Sequence, residues 1–91
     1  MLVFKEYVID KKSIAVQTTY LPENANIVNV KSSDKGLSLI ALVDPIALTT
    51  ELRTFKICTD DENIYFDTVK YLGSFESDLG MRHVIELNRG D

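Results

Sequence analysis

Apolar residues along this chain recur at every second position or gather into short runs, and polar clusters divide them at close intervals. That is the periodicity of β-strands, not the three-to-four spacing of an amphipathic helix. Seven strands are expected. The first runs from Leu2 to Ile9 and ends at the polar turn Asp10-Lys11-Lys12. In the second, Ile14, Val16, Thr18 and Tyr20 alternate with Ala15, Gln17 and Thr19, which predicts one buried face. Pro22-Glu23-Asn24 breaks it, because proline cannot donate to a ladder and asparagine favours turns. The third covers Ile27 to Lys31, with Val28 and Val30 on one face, and Ser32-Ser33-Asp34-Lys35-Gly36 forms a hairpin loop.

Leu37 to Val43 is the most apolar run and reads as a central strand covered on both faces, stopped by Asp44-Pro45. Ile46 to Thr50 reads as a loop with apolar anchors, its threonines and short length weighing against a helix. The fifth strand, Glu51 to Thr59, points Phe55 and Ile57 one way and Thr54, Lys56 and Cys58 the other, and leads into the acidic turn Asp60-Asp61-Glu62-Asn63. The sixth, Ile64 to Glu76, is interrupted: Asp67 marks a bend, and Gly73 a bulge or close backbone approach. Asp78-Leu79-Gly80 turns the chain into the last strand, Met81 to Leu87, whose alternation sets Met81, His83 and Ile85 on an inward face. The tail, Asn88-Arg89-Gly90-Asp91, is expected to fray.

The connections are too short for βαβ crossovers. The expected fold is therefore all-β: a single domain over residues 1–91, built as a small antiparallel β-sandwich or partly open barrel. A chain of 91 residues has a thin stability margin, and its sheet edges need cover, so a homo-oligomer is expected.

Composition narrows the function mainly by exclusion. Hydrophobic residues at 45% and charged residues at 26% place the chain among folded globular domains. A net charge of -4 argues against general nucleic-acid binding, which needs a basic surface. Cys58 is the one cysteine, so no intrachain disulfide forms, which suits the cytoplasm. The start lacks a signal-peptide pattern, and no apolar run approaches the ~20 residues that span a bilayer, so no membrane partner is expected.

Phosphate-loop, GxSxG, HExxH and CxxC patterns are absent from the sequence, and no catalytic activity, cofactor or metal is expected. His83, the only histidine, is a candidate switch near neutral pH; the competing reading is a core or interface histidine bonded to backbone. Cys58 with His83 would make a nucleophile and base if their strands meet, against the commoner reading of a buried thiol. Asp60, Asp61 and Glu62, with Asp67, lack the alternating ligands and central glycine of a calcium loop and read as a solvated turn. Arg53 and Lys56, joined by Lys70, Tyr71 and Arg82 from neighbouring strands, would make an anion pocket with an aromatic wall; otherwise they are solvated charges blunting a sheet edge.

Ala41-Leu42-Val43-Asp44-Pro45, Arg53-Thr54-Phe55-Lys56-Ile57, Tyr71-Leu72-Gly73-Ser74-Phe75 and His83-Val84-Ile85-Glu86 occur in that order. The series resembles a family of small, uncharacterised β-rich proteins of phages and actinobacterial genomes, with the pattern ALVDP, RTF, YIGTF, HVFE. The chain departs from that family where Thr59-Asp60-Asp61-Glu62 replaces a Thr-Gly-His turn, and where Arg82 replaces a tryptophan before the histidine. The resemblance implies a phage context and a host-cell cytoplasm, but no chemistry.

Three functions are consistent with this sequence. The first is a non-catalytic accessory protein that binds a host protein stoichiometrically, as an inhibitor or counter-defence factor. The second is an oligomeric sponge for a small nucleotide-like anion, with Arg53, Lys56, Tyr71, Arg82 and His83 as ligand-binding residues. The third is a minor virion component.

Overall fold

In the computed structural model, residues 1–65 and 69–87 are described. The bend expected at Asp67 and the fraying expected at residues 88–91 lie outside them. Seven strands follow in chain order: β1 (Val3–Ile9), β2 (Gln17–Pro22), β3 (Asn26–Ser33), β4 (Gly36–Val43), β5 (Thr50–Thr59), β6 (Val69–Ser77) and β7 (Gly80–Leu87). Among the described residues there is no helix, and 46–49 form a turn and loop running into β5.

The strands make two sheets, ordered β1-β4-β3 and β2-β5-β7-β6, with every neighbouring pair antiparallel. They pack as an open sandwich, not a closed barrel. Leu37 and Leu39 of β4, Leu21 of β2, Phe55 of β5 and Val84 of β7 are fully buried between the sheets. Each such side chain contributes about 1.5–3 kcal/mol by leaving water. The sheets approach most closely along β3 and β6.

Four local expectations change, each for a packing reason. β2 begins later than its alternation suggests, and its faces are reversed. Leu21 enters the core, which turns Tyr20, at 65% exposure, to the outside and leaves Ile14 exposed before the strand. As expected, the strand stops at Pro22-Glu23-Asn24; Pro22 itself is tolerated as its last residue because β2 is an edge strand and the missing donor costs no ladder bond. A bulge between Ile27 and Asn29 buries both Ile27 and Val30 and turns Val28 outward. β4 is central, but it is buried on one face only: Leu37, Leu39, Ala41 and Val43 are buried, while Ser38, Ile40 and Leu42 are half-covered.

The fourth change concerns β7. Residues directly opposite in a ladder share a face. Val84 lies opposite Ile57 and enters the core, so His83 and Ile85, opposite Cys58 and Lys56, lie on the far side of the four-stranded sheet. His83 is therefore not on the inward face. Cys58, Ile85 and Leu87 form a second buried cluster there, apart from the main core. The register break between Tyr71 and Gly73 is the bulge expected at Gly73.

Candidate functional site

The register of the four-stranded sheet separates the expected ligand-binding residues by face. Arg53 and Arg82 lie on the inner face, Lys56, Tyr71 and His83 on the outer. Arg53 sits beside the core and is tied into the fold. Its Nε and Nη2 donate to Glu86 Oε2 and Oε1 at 2.5 and 2.8 Å, and Nη1 donates to the Ala25 carbonyl at 2.5 Å. Both side chains of the pair are 14% exposed. The hydrogen bond to Glu86, reinforced by its charge and that of Glu51 against the cost of burial, pushes the Arg53 pKa still higher. This is a fork-to-fork clamp joining β5, β7 and the turn before β3.

On the outer face, Lys56 donates to the Ile14 carbonyl at 3.1 Å and pairs with Glu62 at 2.7 Å. Tyr71 and His83 do come together: the Tyr71 hydroxyl lies 3.0 Å from His83 Nδ1, and the rings tilt at 48°. His83 Nε2 contacts Asp60 Oδ1. Its hydrogen-bonding partners are thus side chains of β6 and the acidic turn. Cys58 is directly opposite His83. The thiol is buried, however, and desolvation, with the charge of Glu62, pushes its pKa up. Burial therefore keeps the sulfur protonated, opposite to what a cysteine nucleophile needs.

The acidic turn disperses its carboxylates. Asp60 goes to His83, Asp61 accepts from the Thr59 hydroxyl at 3.2 Å, and Glu62 takes Lys56. Among the described residues, no group of three potential metal ligands forms.

Arg82 has a different setting. It lies opposite Phe75 and Thr59 on the inner face, where the sandwich opens at one end. A cavity of about 410 Å³ occurs there, walled by Ile57 and Phe75 and bordered by Lys11 and Lys12 of the β1–β2 loop. The Lys11 ammonium donates to the Ser33 carbonyl at 2.5 Å, which fastens that loop to the β3–β4 hairpin. The two lysines are far from Arg82 in the chain and in a turn; only the sheet stacking brings them together, so alternation within strands could not identify them.

A second surface is equally distinct. In the β1–β4 ladder, Phe4 lies opposite Leu42, Glu6 opposite Ile40 and Val8 opposite Ser38. Phe4 and Val8 are 69% and 60% exposed on either side of Glu6, so two apolar positions with a carboxylate between them lie along the outside of the three-stranded sheet at its free edge. β1 pairs with β4 over all seven residues without a bulge or proline. The other three edges are interrupted by a bulge, a proline or a side-chain bond. β3 and β6 carry bulges, and β2 ends in Pro22 and has the Gln17 side-chain amide bonded to both backbone groups of Asp10.

Residues 6–91 match a family described as a domain of unknown function, DUF7352, and the chain belongs to it. No curated protein and no solved structure matches the chain.

Proposed function

We propose that this DUF7352 protein is a non-catalytic binding module that takes an extended segment of a partner protein along β1. The observation that carries this reading is the β1 edge itself: free of bulge and proline over its whole length and flanked by exposed Phe4 and Val8. An incoming strand would gain main-chain hydrogen bonds at the edge and set its own side chains beside Phe4, Glu6 and Val8 on the outer face. The resemblance of the sequence motifs to small phage proteins is the ground for seeking that partner in a host cell, where stoichiometric occupation would inhibit or divert it.

The charges on β1 favour a foreign strand. An antiparallel two-fold pairing that uses all seven residues sets Val3 against Ile9 of the second copy, Phe4 against Val8, and Glu6 against Glu6. Like charges directly opposite destabilise a ladder. A partner with lysine or arginine opposite Glu6 turns that repulsion into attraction, in keeping with a chain of net charge -4.

Fluorescence anisotropy with a labelled synthetic peptide tests this. The peptide alternates apolar residues and places one lysine opposite Glu6; its twin carries glutamate there. Preference for the lysine peptide, reversed by Glu6→Lys, supports the reading. Equal binding of both peptides, or none, opposes it.

A further inference from the structure

We infer that the cavity at the Arg82 end of the sandwich is a binding site for a nucleoside monophosphate, separate from the β1 edge. Its volume, about 410 Å³, falls in the lower part of the ~300–1,000 Å³ range of small-ligand pockets. The walls combine the two chemistries such a ligand presents. Ile57 and Phe75 form its nearly buried floor, and the exposed Ile14 and Leu79 stand at its rim. They offer an apolar surface on which a base can lie.

The cations are placed for the phosphate. Arg82 is half-buried, and its guanidinium donates to the neighbouring Met81 carbonyl at 3.1 Å. Among the described residues, no carboxylate pairs with it. The contrast with Arg53 is direct: on the same face of the same sheet, Arg53 is clamped by Glu86, whereas Arg82 keeps donors for a ligand. Lys11 is held by neutral oxygens of Ser32 and Ser33, so its charge is not cancelled by that contact. Lys12 adds a further cation at the border.

Carboxylates also line the rim, and they select among anions. Glu62 is already paired with Lys56, but Glu76 and Asp78 are exposed. A bare phosphate would be repelled by them. A nucleotide brings ribose hydroxyls that donate to carboxylates, which accounts for both signs of charge around one cavity.

The test is an amide chemical-shift titration of the whole chain with AMP, adenosine and inorganic phosphate in parallel. The expected result is saturable shifts with AMP at Lys11, Ile57, Phe75, Leu79 and Arg82. Adenosine and phosphate should bind at least about tenfold more weakly. Arg82→Gln should weaken AMP about ten- to a hundredfold, the scale of a lost charge-assisted hydrogen bond. The exposed Lys12→Gln is a second variant that leaves the fold untouched and should weaken AMP less. No saturable shift with AMP overturns the site. Adenosine binding as tightly as AMP, or phosphate doing so, overturns the nucleotide assignment in favour of an apolar cleft or a bare anion patch.

Discussion

Gly73 of β6 faces Val30 of β3 so closely that a Cβ at Gly73 would stand 2.7 Å from Val30 Cγ2. β3 and β6 are the strands along which the two sheets meet, and the bulge at Gly73 lies within that contact. Valine is stiff at χ1 and Val30 is buried, so its methyl has little room to yield.

Gly73→Ala should therefore destabilise the fold by about 1–3 kcal/mol, the range for overpacking a tight contact. Val30→Ala alone should also cost stability by opening a cavity. Together the two should cost less than their sum, because truncating Val30 makes room for the new methyl. Urea unfolding of the four proteins of the cycle reads the coupling. Strict additivity would show that the methyl and Val30 do not compete.

Arg53 should prove to be structural. Arg53→Met should lower stability by about 3 kcal/mol, the low end for breaking a buried pair, because Glu86 is left charged beside the core and the Ala25 carbonyl loses its donor. Arg53→Met with Glu86→Leu should recover much of that loss. AMP affinity in the folded fraction should be unchanged, since Arg53 does not line the Arg82 cavity. A stable Arg53→Met protein with lost ligand binding would reassign the residue to recognition.

Tyr7 buries its hydroxyl without a hydrogen-bond partner among the described residues, and burial pushes its pKa up. The ring packs against the core while the oxygen bears an uncompensated desolvation cost. Tyr7→Phe should be neutral or stabilising by up to about 1 kcal/mol in thermal or urea unfolding. A loss of more than that would reveal a bond the hydroxyl makes in solution.

The Lys56–Glu62 pair should give the fold an acid-sensitive increment. The Lys56 hydrogen bond, helped by the Thr59 amide and opposed by burial, holds Glu62 below the usual carboxylate range. The unfolded chain then takes up this proton first as pH falls. The stabilisation is complete above the unfolded carboxylate pKa, about 4.3, and is lost as pH drops through the lower folded value. Glu62 is 31% exposed, so solvent screening keeps the effect under about 1 kcal/mol. Comparing the pH dependence of urea midpoints for the parent and Lys56→Met should show that increment missing from the variant.

Strand content and class were legible because β-periodicity is local. The alternation of Phe55 and Ile57 against Thr54, Lys56 and Cys58 is the one observed. Which face turns inward was less legible. At β2, one fully buried residue, Leu21, outweighs four positions of apparent alternation, and at β7 Val84 outweighs Met81, His83 and Ile85. The outer face of the four-stranded sheet buries its own cluster, so a hydrophobic count cannot tell it from the core side. Tyr71 and His83 stand out as candidates in the sequence, but their hydrogen bond depends on the β6–β7 pairing, which a sequence does not state. The cavity at Arg82 needs two lysines supplied by a loop packed from the other sheet's side of the sandwich.

Where a partner strand adds is the most direct question, and hydrogen–deuterium exchange with the lysine peptide bound answers it. Amides in residues 3–9 that do not donate to β4 should become protected, while the bulged edges β3 and β6 and the proline-ended β2 exchange as before. Protection on one of those three edges, with β1 unchanged, would contradict a binding module built on the β1 edge.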